Sequence, residues 1–304
     1  MKRLNYFTQI ISSVIVISVI AMLSGCVSAS DSDENITTTK HKVIVRANTP
    51  EEDGADTRVK FAEKSEGVYS VLWEGDETFA IAEFSDDDMD VIYNVTSSNI
   101  SDDGHSCDIE FEFPWSWGDV FSYYSVCGDV DEFYYEDFTY KTVSVNIPAS
   151  QKQSKDGLVD SKAVLMFAKS EEHQGRPEEL DLKFEHITAY GHLMLKGLPK
   201  GETIKKVSFN TASHISGKFE YDWESNELKP HSDNENQVTV DVSDIEPDKD
   251  GIFHVWFAIR PMDNISQFSV TVDNKTKEID ATGHDLSFKA GQISKFGVNM
   301  QSAS

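Results

Sequence analysis

Any chemistry in this chain starts from a small stock of reactive side chains: cysteines at 26, 107 and 127, and nine histidines, set among 53 acidic and 27 basic residues. A nucleophile elbow, an HExxH pair, a Walker loop or a glycine-rich dinucleotide fingerprint would fix reactive groups at known spacings, and none occurs. His186 and His192 come nearest to a shared metal. The apolar phase between them runs 180, 182, 184 and then shifts to 187, 189, 193 and 195, which argues against a common face. Such a slip predicts a bulge near His186 or two strands rather than one. Carboxylates are so dense that some pair must fall ~5 to 9 Å apart, as a glycosidase would need, so that spacing carries no information. The acidic stretches "SDDDMD" and "SDDGHSCD" lack the oxygen spacing of a known calcium loop and read as solvated turns. The expectation is a protein that is not an enzyme, with no cofactor and no metal.

The element that must position Cys26 is the N-terminus. Lys2 and Arg3 precede a run from Ile10 to Leu23 that is apolar apart from Ser12, Ser13 and Ser18. This is short for a membrane span of ~20 residues and suits the apolar region of a secretory signal. Leu23, Ser24, Gly25 and Cys26 resemble the bacterial lipobox, in which small residues admit a peptidase before an acylated cysteine. An ordinary signal with a coincidental cysteine, or an uncleaved anchor, are the alternatives. Acyl chains contribute ~0.8 kcal/mol per buried CH₂, so a lipidated Cys26 would hold the protein on a bilayer without a transmembrane helix.

Cutting before Cys26 leaves 279 residues carrying 25 basic and 53 acidic side chains, a net charge of −28. That balance argues against nucleic acid and anionic lipid as partners. The charge is uneven: residues 42–147 hold a net −19 and residues 148–304 a net −7. We read a signal peptide at 1–25, a flexible tether at 26–41, an N-terminal domain at 42–150 and a C-terminal domain at 151–304. Cys107 and Cys127 either close a loop of ~20 residues, for about 3 kcal/mol, or stand as two free thiols.

Beyond the tether, apolar stretches are short, rich in Val, Ile, Phe, Tyr and Thr, and broken by Gly, Asp or Asn, the rhythm of β-sandwiches. No convincing amphipathic helix appears, and Pro177 to Leu180 allow one turn at most. "WEGDETFAIAEF" reads as a hairpin turning at Gly75 and Asp76. "IFHVWFAIRP" is apolar on both faces and reads as a central strand ended by Pro261. "LSFKAGQISKFGVNM" turns at Gly291 and sets Phe296, Val298 and Met300 on one face. Trp115, Trp117, Tyr123, Tyr124, Tyr134 and Tyr135 form either a sugar-stacking platform or sandwich core and edge, and the second has the stronger prior.

The ordered landmarks resemble the fimbrillin family of Bacteroidetes, the subunits of type V pili and their relatives. They are the lipobox, "TRVKF", "YSVLWEGDETFAI", "VNIPASQ", "LMFAKS", "LDLKFEHITAYGHLMLKGLP", "VWFAIRP" and "LSFKAGQISKFGVNM". The resemblance implies an all-β chain of two transthyretin-like antiparallel β-sandwich domains in tandem. It implies a surface-exported lipoprotein of the outer membrane, with Asp31, Asp33 and Glu34 resembling an acidic export tag, or else plain linker solvation. It implies cutting by an arginine-specific protease between Arg58 and Val59, with Arg46 as second choice, although Arg58 could equally be an ordinary surface residue.

The strand lost by that cut would be Lys42 to Ala47, with Val43, Ile44, Val45 and Ala47 leaving a groove. A neighbouring subunit's C-terminal region, carrying Phe288, Ile293, Phe296, Val298 and Met300, would fill it, and the product would be a fimbrium contributing to adhesion. Partners would then be other fimbrial subunits, the outer membrane through the lipid, and the protease. The competing expectation is a permanently lipid-anchored surface protein that binds a glycan or host ligand through the aromatic cluster from Trp115 to Tyr135.

Overall fold

A computed structural model describes residues 41–48, 60–65, 68–75, 77–85, 88–113, 118–136, 140–153, 159–199, 201, 203–284 and 286–301. The first ten strands are β1 (His41–Asn48), β2 (Lys60–Ser65), β3 (Val68–Leu72), β4 (Thr78–Ser85), β5 (Asp88–Ser98), β6 (Ser106–Phe113), β7 (Val120–Cys127), β8 (Val130–Glu136), β9 (Tyr140–Ile147) and β10 (Ser150–Lys152). A single 3₁₀ turn at Ser161–Ala163 follows, then β11 (Met166–Lys169), β12 (His173–Gln174), β13 (Glu179–Lys183), β14 (Glu185–His186), β15 (Ala189–Lys196) and β16 (Lys206–Thr211). The last are β17 (Gly217–Asp222), β18 (Glu227–Pro230), β19 (Gln237–Asp241), β20 (Phe253–Ile259), β21 (Gln267–Val272), β22 (Lys275–Asp280) and β23 (Ile293–Asn299). The chain is all-β and sandwich-like, as its periodicity predicts. Among the described residues no helix is long and apolar enough to cross a membrane.

Strand β6 shows why these sequences form sandwiches. Cys107, Ile109, Phe111 and Phe113 are buried, while Glu110 and Glu112 between them are exposed, the period-2 pattern of a sheet with one wet face. The largest sheet runs β13-β1-β6-β5-β4-β7-β11-β14, with β12 also on β7. Further sheets run β10-β19-β16-β21-β22, β20-β15-β23 and β18-β17-β9-β8, and β2 pairs with β3. Most neighbours are antiparallel; β1 with β13, β10 with β19 and β15 with β23 are parallel.

Three apolar cores form among the described residues. One gathers Trp73, Phe79, Ile109, Phe113, Tyr123, Leu182 and Phe184. A second lies between β15, β20 and the β16 sheet, around Phe209, Phe257 and Phe288. The third joins Phe84, Phe133, Phe167, Phe219 and Trp223. Strand pairing crosses residue 150 repeatedly, since β11 and β12 lie on β7, β13 on β1 and β17 on β9. Gly191 marks the tightest spot in the second core: a Cβ there would stand 2.2 Å from the Phe257 ring.

Some local expectations change. The stretch around Gly75 is no hairpin, because β3 pairs with β2 while β4 lies between β5 and β7. Apolar alternation on both sides of Gly75 does not reveal which strand each half pairs with. The apolar run in β20 is buried on both faces, yet β20 ends its own sheet rather than lying centrally. Its free edge is covered by side chains from β10 and the residue beyond it. Gln151 and Gln153 point their amides at that edge and bond to the backbone of His254, Trp256 and Ala258.

Cys107 and Cys127 are two free, buried thiols, so the disulfide alternative fails. They sit on β6 and β7, three strand spacings apart along the sheet. That is ~14 Å at about 4.8 Å per strand, beyond the ~7 Å a bridge spans. The phase slip near His186 does separate strands, with β13, β14 and β15 following one another.

Candidate functional site

The feature that stands out is the slot holding β1. β1 has a partner along each side, antiparallel β6 over its whole length and parallel β13 from Ile44 to Asn48. The register aligns Val43, Val45 and Ala47 with Phe111, Ile109 and Cys107, which are 5%, 0% and 1% exposed. On the other side Val45 and Ala47 align with Leu180 and Leu182, also buried. Arg46 stands in register with Asp108 and Asp181, and Ile44 with Glu110 and Glu179. Val45 and Ala47 thus fall in line with the buried rows of both neighbours and Val43 with that of β6, while Ile44 and Arg46 fall in line with acidic residues on both sides.

The far wall of the slot is fixed without help from β1. Just before β13, the Arg176 guanidinium donates to Glu83 Oε1 on β4 through Nε at 3.1 Å and more closely through Nη2, and it lies 5.5 Å over the Phe121 ring. Tyr123 Oη donates to the other Glu83 oxygen at 2.8 Å. Burial pushes the Glu83 carboxyl above the usual carboxylate range, and the bonds from Arg176 and Tyr123 pull against that shift. Leu180, Leu182 and Phe184 continue into the first core. Sequence reading missed this pin because Glu83 and Arg176 are separated by 93 positions.

Of the C-terminal residues singled out above, Phe288, Phe296, Val298 and Met300 pack on the second core, while Ile293 packs against the first. Phe288 is fully buried, and its backbone exchanges two 2.8 Å bonds with Met262. Ile293, Phe296 and Val298 lie on β23, and Met300 follows it, its amide donating to the Lys196 carbonyl at 2.8 Å. The Phe296 ring meets those of Phe209, Phe257, Phe268 and Phe288 at 5.6 to 6.4 Å. β23 pairs with β15 alone, so one side of it has no strand partner among the described residues.

Cys26, Arg58, Val59, Trp115 and Trp117 lie outside the described residues. Arg46 is inside β1, with backbone partners on both sides. The aromatic cluster does not assemble as a platform from the members that are described. Tyr123 is wholly buried against Glu83, and Tyr124 packs against Phe84 and Trp223, while Tyr134 is exposed. Core packing claims these rings because β7 is covered on both faces.

His186 and His192, the nearest approach to a histidine pair in the sequence, go separate ways. His186 Nδ1 lies 2.6 Å from Tyr190 Oη, and His192 stacks on Trp256 at 3.9 Å with its Nε2 2.8 Å from His254 Nδ1. His254 in turn reaches Asp248. Among the described residues no group of three His, Cys, Asp or Glu side chains is placed to hold a metal.

No protein-family model matches the chain, and no curated protein matches it. Solved structures do. A protein from Bacteroides uniformis, provisionally described as a cell adhesion protein, superposes with a TM-score of 0.50 at 12% identity, over 86% of this chain and 94% of that one. A similarly described protein from Bacteroides ovatus gives 0.49 at 13%, over 87% and 94%. A fimbrial assembly protein from Parabacteroides distasonis gives 0.39 at 12%, over 87% and 93%. At this identity the likeness to the Bacteroides uniformis protein establishes a shared fold across nearly the whole of both chains.

Proposed function

We propose that this chain is the precursor of a fimbrial subunit, exported as a lipoprotein through Cys26 and assembled by donor-strand exchange after cleavage between Arg58 and Val59. The observation that carries the reading is the position of β1 between β6 and β13. Its loss would open two strand edges at once, above a row of buried aliphatic and aromatic partners. An incoming strand then recovers backbone hydrogen bonds on both sides together with apolar burial, which is β-augmentation driven twice over. The fold shared with a protein provisionally described as a cell adhesion protein supports the same reading.

The replacement comes from β23 of another copy and the residue after it, with Phe296, Val298 and Met300 taking the inward positions, Ile293 on the opposite face and Phe288 upstream. Its seven residues match the eight of β1 in length. In its own subunit β23 has one paired side, and in the slot it would have two. The division at residue 150 belongs to this proposal too, with the qualification that β11 to β14 and β17 complete sheets begun in the first half.

The test is direct. Purified precursor is treated with trypsin or an arginine-specific protease, then run on a gel without boiling. A product starting at Val59 that forms ladders supports the reading. A chain that stays intact, or is cut without polymerising, sinks it.

A further inference from the structure

Away from the β1 slot, a groove of about 750 Å³ opens between β18, the Arg260–Asp263 turn and the Phe288–Ala290 segment. Its volume lies in the range of specific ligand sites, which are apolar hollows with a few fixed polar groups. Ile187 and Phe288 give it apolar lining and are 4% and 0% exposed. The unusual group is Arg260. Its Nε is buried without a hydrogen-bond partner, its Nη1 reaches the Leu228 carbonyl only at 3.5 Å, and its guanidinium lies 5.9 Å over the Phe219 ring. No ion-pair partner for it occurs among the described residues. Burial also draws its pKa down from the ordinary value, as expected of a cation lacking a counter-charge.

Charge makes this notable. The chain carries almost two acidic residues for each basic one, yet the groove reverses the ratio, with Arg260, Lys229 and Lys289 against Glu227 and Asp263. Lys229 is already bridged to Asp222, which leaves Arg260 and Lys289 as the cations lining the hollow with no carboxylate paired to them among the described residues. The groove also runs along a strand edge, since β18 ends its sheet. Tyr221 and Leu228 are Cα partners, and the Leu228 carbonyl faces Arg260 rather than β17. In an antiparallel ladder the Leu228 amide faces the same way as its carbonyl, so one backbone pair is presented to the groove. Pro230 falls at the next outward-facing position, where a missing N–H costs the β17 ladder nothing.

We propose that this groove receives an extended acidic peptide segment of a partner protein, its backbone added along β18 at Leu228 and a carboxylate of the peptide paired with the Arg260 guanidinium. An arginine matches a carboxylate in two-pronged geometry, and a free strand edge gives such a peptide its register. Pro261 and Met262, partly exposed in the lining, take the neighbouring side chains. A neutral sugar would leave the buried cation unanswered, and nothing on the floor offers an open aromatic face for a sugar ring to stack on.

The experiment is fluorescence anisotropy on the whole chain with a labelled peptide acetyl-Val-Asp-Val-Glu-Val-amide and its Asn/Gln counterpart. Saturable binding of the acidic peptide, at least about tenfold tighter than the neutral one and weakened as salt is raised, is the expected result. Arg260→Gln should lower the affinity about tenfold or more, while Lys152→Gln, an exposed residue far from the groove, leaves it unchanged. If Arg260→Gln unfolds the protein, the wild type supplies the second readout: saturating peptide slows hydrogen exchange at the Leu228 amide. Equal affinity for both peptides overturns the proposal. So does binding of D-glucuronate that the peptide does not compete away, or peptide protection confined to residues outside β18.

Discussion

The side chain of Gln151 behaves as a strand residue toward Ala258: its Oε1 accepts the Ala258 amide at 2.9 Å and its Nε2 donates to the Ala258 carbonyl at 2.7 Å. Gln153 repeats the pattern two residues on, accepting from the Trp256 amide and donating to the His254 carbonyl. Spaced at the strand period, the two amides close the edge of β20 and weld it to the β10 sheet. Gln151→Leu keeps the volume and removes both bonds, leaving a buried N–H and C=O unpaired. A loss of roughly 2 to 6 kcal/mol follows, at about 1 to 3 kcal/mol for each orphan. Denaturant titration measures it, and a midpoint equal to wild type would mean the edge is closed by something else.

Acid should weaken the second half through His192. Burial, then the neighbouring His254 and Lys295, hold its imidazole pKa down at about 3. A lowered folded-state pKa means that the unfolded chain takes up the proton first. The contribution is therefore whole above pH ~6.5 and is lost as pH falls toward 3. Between pH 7 and pH 4.5 the loss is roughly 2 to 3 kcal/mol. Stability curves of His192→Phe should be flatter over that window, and parallel curves for the two proteins would remove His192 from the account.

Breaking the pin under β13 should cost more. Arg176 and Glu83 have side chains 8% and 1% exposed, so Glu83→Gln strands a buried guanidinium, for about 3 to 5 kcal/mol. The measurement is again equilibrium unfolding, paired with hydrogen exchange of the Leu180 and Leu182 amides. Those amides should exchange faster in the variant. Unaltered protection there would show that β13 is held by its apolar contacts alone.

Thiol chemistry distinguishes two buried cysteines from a bridge. Burial pushes the Cys107 thiol up to about 12, so it stays protonated and inert at neutral pH. In a Cys26→Ala chain, iodoacetamide should leave the native protein unlabelled and add two groups in denaturant without any reductant. Rapid labelling of folded protein, or none in denaturant until a reductant is added, contradicts this.

Val45 tests the slot from the strand that fills it. Its register partners on both sides, Ile109 and Leu180, are buried, so Val45→Asp should destabilise the precursor by a few kcal/mol. A melting temperature equal to wild type would leave β1 without a part in the first core.

Much of this could be read along the chain. The β class, the break after Phe184 and the turn at Gly291 follow from alternation of apolar residues and from turn chemistry, which act over a few positions. Even the strand at 41–48 announces itself through Val43, Val45 and Ala47. Pairing is another matter, because a strand's pattern specifies which face is buried and not which neighbour lies beside it. That is why Gly75 looked like a hairpin and β20 like a central strand, and why Cys107 and Cys127, 20 positions apart in sequence, stand three strands apart in the sheet.

The same limit hid the Glu83–Arg176 pin, the glutamine edge closure and the Arg260 groove. Each joins groups that meet only once the sheets have stacked, and no local rule links residues so far apart. Composition and periodicity thus determined that this is a strand-built, strongly acidic chain. The tertiary structure alone decided that β1 lies between two strands rather than at an edge, because register across a sheet is settled by long-range burial.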